Sequence, residues 1–186
     1  MPHATDRLAG AFAAVALTLA AACSRGDAGY DLALAGGDVE VRWQSADTIS
    51  MALEEPGLAR WCAEGRWLEL SAVSGDTGVM IAVFPADSLA PGSYPVALPA
   101  RTDSLQPRPG ATVGLRWFTP GAVAGYRGWE GTVALTRVSP AAGSGRVSGT
   151  FEATAIPVAG DGSLAVEGGF SDVPVTAADS GCGAGR

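Results

Sequence analysis

Gly145-Arg146-Val147-Ser148-Gly149-Thr150-Phe151-Glu152-Ala153-Thr154-Ala155-Ile156 alternates small or apolar side chains with polar ones at a spacing of two. That period puts Val147, Phe151 and Ala153 on one face of an extended strand, whereas a helix would scatter them around its axis. The segments on either side repeat the signature. Residues 131–138 carry Val133 and Leu135 inward, and residues 163–174 carry Leu164, Val166 and Phe170. Residues 139–144 and 157–162 between them are rich in Gly, Pro, Ser and Asp, so the three strands read as a C-terminal antiparallel meander.

Further back, Val39, Val41 and Trp43 share one face, and Glu40, Arg42 and Gln44 share the other. Residues 48–54, 66–73, 78–84 and 111–118 also read as strands. Residues 78–84 are apolar on both faces, as expected of a strand covered on both sides. Pro91-Gly92 signals a turn, residues 98–110 carry three prolines and read as a surface loop, and residues 54–62 allow a short helical turn. About eight or nine strands predict an all-β antiparallel sandwich in preference to a small barrel.

The chemical inventory excludes more than it offers. All 12 basic residues are Arg, there is no Lys or Asn, and the lone histidine is His3. Such a bias matches GC-rich coding. A net charge of −7 argues against a nucleic-acid partner, which needs clustered cations, and against attachment to an anionic lipid surface by charge alone. Downstream of the leader described next there is no imidazole or amine side chain. Ser-His-Asp and Cys-His catalysis, Schiff-base lysines and His-ligated zinc are thereby excluded within one chain. No cofactor and no metal site is expected. The loops Ser74-Gly75-Asp76-Thr77-Gly78 and Gly160-Asp161-Gly162-Ser163 hold one carboxylate each and read as turns, whereas calcium needs several oxygen ligands.

Leu8 to Ala22 is an apolar run preceded by Arg7, too short for a membrane-spanning helix of ~20 residues. It ends in Leu19-Ala20-Ala21-Ala22-Cys23, which resembles the lipobox of bacterial lipoprotein precursors processed by signal peptidase II. Ala20 stands where that family prefers Leu. The resemblance implies a signal peptide over residues 1–22, cleavage before Cys23, and acylation (a palmitate-type lipid) of that cysteine. It further implies a tether over residues 23–30 and a single domain over residues 31–186. Two or three acyl chains at ~0.8 kcal/mol per buried CH₂ make such an anchor effectively permanent. Ser24, in place of Asp, implies the outer membrane. Arg25-Gly26-Asp27 lies too close to the lipid for a receptor to reach. With Cys23 lipidated, Cys62 and Cys182 remain, and an oxidising compartment predicts a Cys62–Cys182 disulfide.

Four fragments resemble a meander found in uncharacterised secreted lipoproteins of bacteria. They are Ala90-Pro91-Gly92-Ser93-Tyr94-Pro95-Val96, Gly131-Thr132-Val133-Ala134-Leu135, Gly145-Arg146-Val147-Ser148-Gly149-Thr150-Phe151 and Gly169-Phe170-Ser171-Asp172-Val173-Pro174. The resemblance implies a β-sandwich and transfers no catalytic residue.

Five tryptophans are the remaining lead. Trp43 falls in the inward set, and Trp61 and Trp67 flank Cys62. Trp117 and Trp129, with Tyr126, are candidates for an aromatic strip that stacks on a ligand, with Arg116 and Arg127 as polar companions. Glu40, Glu69, Glu152 and Glu167 fall on the face opposite the apolar set, where solvated residues belong. These readings favour a lipid-anchored, non-enzymatic envelope module that binds a ligand, such as a glycan or an envelope protein, or serves a structural role. A carboxylate-based enzyme acting on glycans and an outer-membrane assembly factor are the alternatives.

Overall fold

The computed structural model describes residues 37–45, 50–100, 105–119, 121–139 and 145–178. The leader, Cys23, the tether and Cys182 lie outside the described residues. Ten strands form: β1 (Asp38–Ser45), β2 (Ser50–Pro56), β3 (Leu58–Cys62), β4 (Trp67–Ser74), β5 (Thr77–Phe84), β6 (Gly92–Pro95), β7 (Gly110–Thr119), β8 (Ala122–Ser139), β9 (Gly145–Pro157) and β10 (Leu164–Ala178).

Pairing runs β3–β4–β5–β7–β8–β9–β10 and returns from β10 to β3, so seven strands close into a barrel. β1 pairs with β10 and β2 with β1, while β6 pairs with β8. The expected sandwich is therefore corrected to a closed barrel with strands added at its margins. β10 explains the difference. Residues 164–170 pair with β1 on one side and β9 on the other. Past a register shift between Phe170 and Val173, Val175 to Ala178 pair in parallel with β3. Thr176 Oγ1 donates to the carbonyl of Ala59, 117 residues away in sequence. A period of two says which face a side chain takes; it does not name the neighbouring strand.

Irregularities make the corners. In β10, Asp172 has φ of 54°. Its N–H donates to Ser148 Oγ at 2.9 Å, and Arg146 Nη1 donates to its carbonyl at 2.6 Å. The inward set moves from Val166 and Phe170 to Val173 as a result, a change of phase that a bulge produces. β8 shifts register between Gly128 and Glu130 and again between Leu135 and Arg137. Its inward positions change from Tyr126 and Gly128 to Val133 and Leu135, then to Val138. Gly131 sits at the first corner with φ of 137°, and a Cβ there would lie 2.1 Å from the carbonyl oxygen of Glu152. Only glycine fits that backbone.

β3 replaces the helical turn expected over residues 54–62. Pro56-Gly57 reads as a helix breaker either way. Here Gly57 lets the chain pass close to the core, since a Cβ would meet Val39 Cγ2 at 2.6 Å. Its N–H donates to the carbonyl of Gly37 at 2.8 Å.

Every side chain predicted to point inward from residues 39–43, 133–135, 147–153 and 164–170 is buried, from Val39 at 0% exposure to Ala153 at 8%. They belong to one apolar cluster with Leu68, Leu70, Ile81 and Val113. Burying each Val, Leu, Ile or Phe side chain is worth ~1.5–3 kcal/mol. β5 departs from the expectation of double coverage, because Met80 is exposed while Ala82 and Phe84 are buried. Those two form a small outer core with Cys62 and Trp67. Arg108 covers it, lying 5.6 Å over the Phe84 ring and donating to the carbonyls of Gly65, Arg66 and Pro85. Trp61 packs against the main core instead, on the other face of β3.

Candidate functional site

The outward positions of β1, β10, β9 and β8 form the floor of an open trough. Strand register places Ala52, Arg42, Glu167, Glu152 and Thr132 in one row across the sheet. Gln44, Ala165, Thr154 and Glu130 form the row on one side of it, and Glu40, Gly169, Thr150 and Ala134 the row on the other. Two contiguous depressions of about 730 and 540 Å³ share Arg42, Glu152 and Glu167.

Glycine shapes this floor. At Gly168 a Cβ would lie 2.3 Å from the carbonyl oxygen of Glu40 and 2.7 Å from the Phe151 ring beneath. The bare backbone lets β1 approach and lets the phenyl ring cover β10 from inside.

Charge is unbalanced here. Glu40, Glu130, Glu152 and Glu167 face a single guanidinium, that of Arg42. Arg42 hydrogen-bonds Glu40 on its own strand. Glu152 and Glu167 are direct register partners across β9 and β10. Like charges placed opposite each other destabilise a sheet. Among the described residues, neither has an ion-pair partner. The four carboxylates are spread over four strands, and no group of three or more His, Cys, Asp or Glu is disposed to hold a metal ion among the described residues. The trough can attract cationic groups and accept their hydrogen bonds, and its concavity focuses that field.

The sequence placed Glu40, Glu152 and Glu167 on the solvated face, where they are exposed, but did not show that they converge. The legible signal was Glu40/Arg42/Gln44 beside Thr150/Glu152/Thr154, polar positions at period two on two strands. Glu69 is different: its side chain is 12% exposed and is hydrogen-bonded to Arg60.

The expected aromatic strip divides between two sides of the sheet. Trp117 and Tyr126 do stack, centroids 5.1 Å apart and planes 10° from parallel. Their third member is Trp43, 5.8 Å from Trp117. This ladder packs against the core, with Trp43 only 4% exposed and its Nε1 buried without a hydrogen-bond partner. Trp129 is 53% exposed at the first β8 corner. Arg116 and Arg127 point outward, away from the ladder. The five residues therefore do not form one surface. Searches against family models, curated proteins and solved structures found no match for this chain.

Proposed function

We propose that this chain is a lipid-anchored outer-membrane protein of the cell envelope that works by binding. In this reading the glutamate-lined trough receives a basic segment of another envelope protein. The Glu152–Glu167 pair carries the proposal. Two like charges at the centre of a concave face cost stability, and a cationic ligand would turn that cost into attraction. Titration calorimetry with a hexa-arginine peptide at low ionic strength tests it. Salt-sensitive binding that weakens at least tenfold in Glu152→Gln/Glu167→Gln is expected; no binding by the parent protein overturns it.

The anchor rests on the lipobox and on the short apolar run before it. Replacing Cys23 with Ser should move the protein out of the membrane fraction, and retention there at normal size would remove the lipoprotein reading.

The proposed Cys62–Cys182 bridge draws support from two observations. Cys62 is fully buried. It is also in register with Ala178, four residues before Cys182 in the chain. A closed loop of that length corresponds to ~4–5 kcal/mol in the chain-entropy model.

The same two glutamates also support a second reading, glycan hydrolysis. Directly opposite residues on antiparallel strands have Cβ atoms ~4.5–5.5 Å apart, and a retaining glycosidase needs its two carboxyls ~5–5.5 Å apart. Both side chains are exposed, whereas a general acid that holds its proton at neutral pH needs an apolar surround. Binding is thus the better-supported activity. Release of product from chromogenic glycosides, abolished by Glu152→Gln, would reverse that order.

A further inference from the structure

The opposite outer face, on β5, β7 and the first part of β8, has a different composition. Register sets Val73, Gly78, Arg116 and Gly125 in one row and Met80, Gly114 and Arg127 in the next. Phe118 and Val123 pair across the β7–β8 hairpin, and Val158 joins them through its N–H to the carbonyl of Gly125 at 2.8 Å. Phe118, Val123 and Val158 are 49%, 60% and 58% exposed.

Arginine usage singles out this face. Arg42, Arg60, Arg66, Arg108, Arg137 and Arg146 all bond carboxylates or carbonyls. Arg116 and Arg127 have no ion pair or side-chain hydrogen bond among the described residues, and they are diagonal neighbours on the same side of the β7–β8 pair. In a chain of net charge −7, two cations without an ion pair among the described residues stand side by side, with Phe118, Val123 and Val158 exposed beyond them and Asp76 at the β4–β5 turn.

The glycines point the same way. Gly78 and Gly114 lie inside strands without positive φ. An added Cβ would meet nothing closer than 3.5 Å at Gly78 and 3.9 Å at Gly114. Neither packing nor backbone conformation requires glycine there, although glycine weakens a strand interior. What their bareness provides is a flat floor beside each arginine, open to a surface that approaches closely.

We infer that this face docks on an anionic bilayer surface. The arginines take lipid phosphates while Phe118, Val123 and Val158 enter the headgroup boundary, the division of labour found in interfacial anchors. Charge complementarity selects the bilayer: Arg116 and Arg127, without an ion pair among the described residues, share this face with Met80, Phe118, Val123 and Val158, all exposed, and Asp76 is the carboxylate at its edge. The inference is independent of the trough and of lipid on Cys23.

The test uses the full chain carrying Cys23→Ser, floated with phosphatidylcholine vesicles or with vesicles containing about one third phosphatidylglycerol. The leader is common to all variants, so differences report the face. Partitioning should rise about thirtyfold on adding the anionic lipid, equivalent to ~1 kcal/mol per arginine, and Arg116→Ala/Arg127→Ala should abolish the rise. Gly114→Thr should cut partitioning at least threefold and raise Tm, since bulk is added to the floor and strand propensity improves. Anionic-lipid dependence that survives both substitutions overturns the inference. So does a parent dimer that these substitutions dissociate, which would make the face a self-contact.

Discussion

The two outer faces of this barrel lie over one interior yet have opposite chemistry. Across β1, β10, β9 and β8, the outward positions carry Glu40, Glu130, Glu152 and Glu167 in a depression. Across β5, β7 and the start of β8, they carry Arg116, Arg127, exposed apolar side chains and glycine. β8 serves both faces, and the register shift between Gly128 and Glu130 marks the changeover. Surface character is therefore set separately on each side of a corner, while the core is shared.

Cavities in the shared core should make the strongest break. Phe151→Ala, beneath the trough, is expected to cost ~3–5 kcal/mol, and Ile81→Ala, beneath the apolar face, ~2–5 kcal/mol. Urea unfolding should remain a single transition in each; a second transition would mean that the faces rest on separable cores. Next in size, Cys182→Ser should lower stability by ~2–5 kcal/mol if the proposed bridge forms. Free-thiol counting on the denatured, unreduced parent should find none.

Relieving the facing carboxylates distinguishes the two sides. Glu152→Gln should stabilise by ~0.2–1 kcal/mol at low ionic strength, and the gain should shrink as salt screens the pair. On the other face, Arg116→Ala should change stability by no more than ~0.5 kcal/mol, because no ion pair among the described residues is lost. A large loss there would show that the arginine is structural.

Strand content was legible wherever one face was apolar at strict period two. Val147, Phe151 and Ala153 in β9 and Val39, Val41 and Trp43 in β1 are the clearest cases, and all six are buried. The first half of β8 was less visible. Tyr126, Arg127, Gly128, Trp129 and Glu130 cross a bulge, and the phase changes within five residues. β3 was hidden behind Pro56-Gly57, a turn signal that here joins two strands. Barrel closure could not be read at all, since the parallel contact of Val175 with Ala59 depends on chain reversal and not on local pattern. The trough suffered likewise: alternation puts Glu152 and Glu167 outside, but only strand register sets them face to face.

β10, the last strand among the described residues, touches β1, β9 and β3. A nascent chain halted before Leu164 would therefore expose three hydrogen-bonding edges at once, each a template for sticking to another copy. Completion must precede compaction in such a topology, so slow synthesis or C-terminal clipping would generate an aggregation-prone, protease-sensitive species rather than a slightly weakened barrel.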